Sequence, residues 1–234
     1  MSGRVEIIGD ATLILGDARE VLPTLGLVDH VITDPPYGVD FAGWDADFPP
    51  ADFWRLVYGS VKNGGNAVII PGEADLPAKA RILFEVFDYQ WVIPWYKPNA
   101  MQFGKTGFSK HSLIWWASCG DPTHRPSMID VLVVPMGLAE DKAIGHPSPK
   151  PLRVMAELVG NFADIAQTIL DPFMGSGTTG AACALLGRKF IGIEMDPKWF
   201  DVACRRIQTA HDQPRLFDEP VAKPVQASLL DETP

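Results

Sequence analysis

Cysteine is scarce in this 234-residue chain: Cys119, Cys183 and Cys204 are the whole complement, at spacings that match no metal-ligand set and no disulfide framework. That sets aside a disulfide-stapled secreted scaffold and a metal module, and points to free or packed thiols in a reducing cytoplasm. Long apolar runs are missing too. No stretch reaches the ~20 residues of a membrane span, and Met1-Ser2-Gly3-Arg4 leads into no signal-peptide core, so neither export nor a membrane partner is expected. There are no internal repeats. Positive charge is in short supply, with 20 Lys and Arg against 29 Asp and Glu, which argues against a protein that coats nucleic acid.

What charge there is lies unevenly. Residues 1–52 hold ten acidic side chains against two arginines, whereas residues 95–125 hold Lys97, Lys105, Lys110 and Arg125 against Asp121 alone. A local basic stretch on an acidic protein is able to meet phosphates. Apolar periodicity marks short strands at 5–8 and 12–15, a helix over 18–25, a buried strand at Val28–Thr33 and a helix at Phe53–Lys62 stopped by Asn63-Gly64-Gly65. Ala67–Ile70, Tyr89–Tyr96, Ser112–Ser118, Ala166–Leu170 and Phe190–Glu194 read as strands. Pro77–Phe87, Pro151–Ala163, Thr178–Leu186 and Pro197–Thr209 read as helices. This alternation predicts an α/β fold, a mostly parallel twisted sheet with helices on both faces.

Two stretches carry chemistry. Asp34-Pro35-Pro36-Tyr37-Gly38 follows the Val28–Thr33 strand. The prolines forbid further ladder pairing and send the chain out of the sheet in a stiff turn. A carboxylate, a backbone carbonyl without a ladder partner and an aromatic face then stand at the C-terminal end of a strand, where ligands bind in open α/β sheets. Two acceptors and a stacking ring are suited to the exocyclic amine of a flipped-out base.

The second stretch runs from Leu170-Asp171-Pro172-Phe173 through Met174-Gly175-Ser176-Gly177 to Thr178-Thr179-Gly180, a strand end, a glycine loop and a helix start. Its glycines allow close backbone approach to a ligand, and the helix start offers free N–H groups. Residues 175–180 also match GxGxxG, which alone is a weak dinucleotide signal. Glu194 ends the next strand and is placed to accept from ribose hydroxyls. A nucleoside with a compact charged group suits this set, whether NAD or S-adenosylmethionine. Asp171 separates them: it suits an ammonium and repels a pyrophosphate.

With both stretches in hand, the sequence resembles the DNA amino-methyltransferases that modify adenine N6 or cytosine N4. Asp34–Gly38 resembles their catalytic motif and Asp171–Thr179 their cofactor loop. His146-Pro147-Ser148-Pro149-Lys150-Pro151 resembles the segment preceding their cofactor domain, although Ser148-Pro149 stands where Thr-Gln is commoner. Gly16-Asp17 resembles the turn whose Asp meets the adenine of the cofactor. The catalytic motif comes first, the order of the permuted β group. No cysteine follows a proline, so the Pro-Cys pair of cytosine ring-carbon methyltransferases is missing.

The resemblance implies a single Rossmann-like methyltransferase domain over residues 1–210 with circularly permuted motif order, and a polar tail at 211–234. Its catalytic residues are Asp34, Pro35, Pro36 and Tyr37. The cofactor, S-adenosylmethionine without a metal, falls to Asp17, Lys150, Asp171, Phe173, Gly175, Gly177, Thr178 and Glu194. Double-stranded DNA is the implied partner, with Lys97, Lys105 and Lys110 at phosphates. Phe41 and Trp44 are candidates for the wall of the base pocket, while Trp95, Trp115 and Trp116 read as core. Adenine is favoured over cytosine because Asp34 is commoner in the family's adenine enzymes. The family's target-recognition region shrinks here to residues 119–145, so a short site, weak DNA binding or a homodimer is expected. Gln213-Pro214-Arg215-Leu216-Phe217 resembles a short peptide that docks on the bacterial sliding clamp, against the alternative that Leu216 and Phe217 pack on the enzyme itself. Two other classes compete: an NAD-linked oxidoreductase, which leaves Asp34–Tyr37 unexplained, and a non-catalytic nucleic-acid binder, which leaves both intact motifs unexplained.

Overall fold

A computed structural model describes residues 4–37, 47–100, 102–104, 107–121, 130–136 and 150–213. Eleven strands are found among them. β1 (Val5–Ile8), β2 (Ala11–Leu15), β3 (Val28–Thr33), β4 (Val61–Ile69), β5 (Tyr89–Tyr96), β8 (His111–Cys119), β9 (Leu132–Val133), β10 (Thr168–Asp171) and β11 (Lys189–Glu194) form one sheet; β6 (Gln102–Gly104) and β7 (Gly107–Ser109) form a separate hairpin. The sheet order is β1-β2-β11-β10-β3-β4-β8-β5-β9. The central run from β2 to β4 is parallel, and β8 is antiparallel to both its neighbours.

Helices cover both faces, as buried parallel strands require. α1 (Ala18–Val21), α2 (Ala51–Gly59) and α3 (Leu76–Phe84) lie on one side, where Phe53, Trp54, Val57 and Leu83 pack on Val31, Ala67 and Ile69. α4 (Leu152–Phe162), α5 (Thr178–Leu186) and α6 (Pro197–Asp212) lie on the other, where Val154, Leu158, Phe162, Phe200 and Ile207 pack on Leu13, Ile32, Val68 and Ile169. Neighbouring residues such as Val31 and Ile32 face opposite cores, the period of two expected of a strand.

Two readings of the sequence need correction. Asn63-Gly64-Gly65 does not stop a helix. α2 already ends at Gly59, and the glycines lie inside β4, where the register with β3 shifts between Val28 and His30. A Cβ on Gly65 would lie 2.3 Å from the Asp29 carbonyl oxygen, so glycine is required by the close approach of the bulged strands. The basic connection between β5 and β8 is also more than a loop, because it carries the β6–β7 hairpin.

The strand order fixes where a ligand binds. From β10 the chain crosses through α5 to β11 on one side; from β3 it crosses through α2 to β4 on the other. β10 and β3 are neighbours, so the topological switch point lies between their C-terminal ends, where Asp171 and Asp34 emerge.

Gly177 illustrates how tightly this end is built. Its φ is +78°, and a Cβ there would lie 2.8 Å from Cβ and 2.9 Å from Cα of Ala203 in α6. Its bareness therefore serves helix packing as well as the left-handed turn. Gly177→Ala is expected to cost about 2–4 kcal/mol in urea unfolding. Gly160→Ala, at an exposed α4 position with nothing within 4 Å, is expected to add about 0.5 kcal/mol instead. Equal effects would contradict this packing.

Candidate active site

At the end of β3, Thr33 keeps its place in the ladder, its carbonyl accepting from Ile70 N at 3.0 Å. Asp34 is the first residue beyond it. Its carboxylate is held on both oxygens: Tyr37 OH donates to Oδ1, and Lys150 Nζ donates to Oδ2 at 2.6 Å. Lys150 Nζ also lies 2.6 Å from Tyr37 OH and 5.1 Å from its ring centroid. The ring is backed by Gly72, whose φ is +69° and whose Cβ would lie 2.7 Å from Tyr37 Cδ1. Buried Lys79 donates to the Pro71 carbonyl at 2.7 Å and lies 5.5 Å from the same ring. Pro35 is buried beside them, and Pro36 is half-buried.

At the end of β10, Asp171 is buried and accepts three hydrogen bonds. Thr33 Oγ1 (2.7 Å) and Phe173 N (3.1 Å) donate to Oδ1, and Thr179 Oγ1 (2.7 Å) donates to Oδ2. A carboxylate offers about four acceptor sites, so one remains for a ligand. Burial pushes Asp171 up to about 6, against the pull of those donors towards the charged form. Glu194 ends the neighbouring β11, accepting from Gly175 N and Asp196 N at 2.8 Å each; burial raises it as well. Gly16 N donates to the Glu194 carbonyl at 2.9 Å, which brings Asp17, the N-cap of α1, to the same rim. Phe173 stacks at 5.0 Å on Phe53 of α2.

The Asp34–Tyr37 turn, Lys150, Asp171, Phe173, Thr179 and Glu194 line one cleft of about 500 Å³, ordinary for a small-molecule site. Among the described residues, Asp17, Asp34, Asp47, Asp171, Glu194 and Asp196 face it against two cations, Arg19 and Lys150. Such a lining opposes a pyrophosphate and suits a positively charged ligand.

Some expected site residues stand elsewhere. Lys97 is buried, bound to Glu73 (3.1 Å) and Ser112 (2.7 Å), with its backbone N donating to the Lys110 carbonyl; it ties down the base of the hairpin and is not available to a phosphate. Lys110 is exposed. Lys105, Phe41, Trp44 and the segments 122–129, 137–149 and 214–234 lie outside the described residues, and with them most of the recognition region and the Leu216-Phe217 pair. Phe48 packs against Trp54 at 5.6 Å. Trp95 and Trp115 are core, and half-buried Trp116 donates to Asn66 at 2.9 Å. Thr178 lines the cleft but accepts from Arg206 at 2.9 Å, while Thr179 is the residue that meets Asp171. Arg206 also holds the Ser176 carbonyl at 2.8 Å. The sequence gives only a weak signal for it, a basic residue on the polar side of α6. Exposed Met195, also at the cleft, follows Glu194 directly.

A family model described as DNA methylase matches residues 28–205, a span that includes both motifs. The chain belongs to this DNA methylase family. It is 24% identical over 251 residues to the type II methyltransferase M.HinfI of Haemophilus influenzae, with 87% of this chain and 70% of that protein covered. The solved M1.HpyAVI–SAM complex superimposes with a TM-score of 0.65 at 27% identity, covering 84% of this chain and 98% of the other. The cytosine-N4-specific PvuII DNA methyltransferase shares the fold, with a TM-score of 0.70 at 19% identity and coverage of 85% and 86%. Among the described residues of this methylase, no group of His, Cys, Asp and Glu is arranged to hold a metal ion.

The buried carboxylate makes a testable statement about stability. The ordinary Asp value is about 3.9. The folded protein therefore binds the Asp171 proton more tightly than the unfolded chain does, and stability falls as pH rises from about 4 to about 6. Asp171→Asn keeps three partners if the Thr179 hydroxyl turns round. Wild type should lose about 2–3 kcal/mol relative to this variant across that window, measured by urea unfolding at stepped pH. A difference that stays flat would show that the carboxylate is not desolvated.

Proposed function

We propose that this protein transfers a methyl group from S-adenosylmethionine to the exocyclic amine of a base flipped out of duplex DNA, adenine N6 being the acceptor. The observation that carries the reading is the meeting, in one acidic cleft, of the Asp34–Tyr37 turn with the Asp171–Thr179 loop. When bound, the cofactor supplies an electrophilic methyl group on a sulfonium. Asp171 would hold its ammonium, with the acceptor site left over from Thr33, Thr179 and Phe173. Glu194 would accept from the ribose hydroxyls, and Asp17 at the rim would meet the adenine.

The remaining work belongs to the end of β3. An aromatic amine is a poor nucleophile because its lone pair is delocalised into the ring. Asp34 and the Pro35 carbonyl accept its hydrogens and localise that lone pair. Tyr37, backed by Gly72 and Lys79, offers a braced ring for the base to stack on. Catalysis is then positioning and electrostatics, with no covalent enzyme intermediate. Asp34 at the first position of the motif supports adenine, since cytosine enzymes of the family often carry Ser there. DNA affinity is assigned to basic groups outside the cleft, with exposed Lys110 beside the hairpin as one phosphate contact.

Purified protein is incubated with duplex DNA and methyl-labelled cofactor, and the digested nucleosides are separated by mass. N6-methyladenine is the expected product; N4-methylcytosine would overturn the base assignment alone. Asp34→Ala is expected to lose transfer without losing cofactor binding. Glu194→Ala is expected to weaken cofactor binding by about 1.5–3 kcal/mol, the worth of a charged hydrogen-bonding site. Unchanged calorimetric affinity in Glu194→Ala would remove it from the ribose.

A further inference from the structure

Asp34 as it stands is shared on both oxygens, which leaves about two of its four acceptor sites for an amine. One oxygen takes the Tyr37 hydroxyl and the other takes Lys150 Nζ at 2.6 Å. Lys150 is well buried, with 12% of its side chain exposed, so this is no casual surface pair. A target amine would share Oδ2 with the Lys150 ammonium, crowding two donors onto one oxygen. The competition is also electrostatic, because an amine gains positive charge as it is methylated and a second cation on the same carboxylate opposes that. Opening the pair therefore favours the reaction.

The cleft supplies a reason for it to open. Its lining is acidic, and of the two cations among the described residues that line it, Arg19 is largely exposed at the mouth beside Asp17, which leaves Lys150 as the less exposed one. Among the described residues, a carboxylate entering such a cleft meets few other positive groups. We infer that Lys150 is a positioning residue that occupies Asp34 until a nucleoside carrying an amino-acid carboxylate enters the cleft and draws the ammonium away. The base seat at Asp34 then opens fully only after the cofactor is in place, which disfavours a flipped base on an unloaded enzyme. Lys79, anchored to the Pro71 carbonyl behind Tyr37, stays where it is while Lys150 moves. The inference rests on the cofactor assignment proposed above.

The test needs neither activity nor a DNA site. S-Adenosylhomocysteine and 5′-methylthioadenosine both carry an uncharged sulfur, and only the first has the amino-acid end. Calorimetry is run with each ligand on wild type, Asp34→Asn, Lys150→Met and Lys150→Arg, and on each Lys150 variant combined with Asp34→Asn. Removing the charge of Asp34 frees Lys150, so Asp34→Asn should bind S-adenosylhomocysteine at least about fivefold more tightly than wild type, as expected when a competing state is removed. Its affinity for methylthioadenosine should not change. In the Lys150→Met background the Asn substitution should have no effect on either ligand, whereas Lys150→Arg, which keeps the charge, should preserve the gain.

Equal S-adenosylhomocysteine affinity in wild type and Asp34→Asn overturns the inference. So does a gain that extends to methylthioadenosine or survives in Lys150→Met. Failure of both ligands to bind wild type overturns the cofactor assignment itself, and the inference with it.

Discussion

Thr33 donates a hydrogen bond to Asp171 across 2.7 Å, and the site depends on the seam that this bond closes. Thr33 ends β3 and Asp171 ends β10, 138 positions away along the chain. Parallel pairing of Ile169 with His30 and of Leu170 with Val31 sets the two ends level. A slip of one residue would turn Asp171 towards the opposite face and exchange the two cores. The same carboxylate takes Thr179 from α5 and the backbone of Phe173, so one buried group joins two strands, a loop and a helix start. Its cost is electrostatic, visible as the rise of its pKa to about 6. A protein built only for stability has better uses for that position, such as an apolar side chain. A buried carboxylate with an acceptor site to spare is what a cationic ligand requires.

Charge is arranged in layers around that seam. Negative groups line the cleft, where the proposed cofactor brings a sulfonium and an ammonium. Positive groups stand behind and beside the proposed base seat, Lys79 beneath Tyr37 and Lys150 on Asp34. The net charge of −9 is then no obstacle to acting on DNA, because the acidity includes the floor of the cleft as well as the outer surface. The β6–β7 hairpin rises from the same end of the sheet, tied to the turn after β4 through Lys97 and Glu73.

Much of this was legible in the sequence. Period-two and period-3.6 apolar spacing located the principal strands and helices. Prolines after β3 and glycines after β10 marked the two places where a strand ends in chemistry. What the sequence hid was pairing between distant side chains. Lys97 reads as a loop cation until Glu73 and Ser112 enclose it. Gly64 and Gly65 read as a helix stop because local chemistry is the same for a cap and a bulge; only the approach of Asp29 decides. Thr178 and Thr179 cannot be told apart without the direction of the helix, which turns one to Arg206 and the other to Asp171. Lys150 carried a cofactor-side expectation, and its contact with Asp34 across 116 positions is beyond any local signal.

The central claim is that the end of β3 and the end of β10 form one centre for methyl transfer to a DNA amine. Expression of wild type and of Asp34→Ala in a bacterial host free of DNA methylation, followed by long-read mapping of modified bases across the genome, tests it most directly. The account predicts methylated exocyclic amines at one short recurring motif in the wild-type strain and none in the Asp34→Ala strain. A wild-type genome without modified amines, or the same map from both strains, would contradict it.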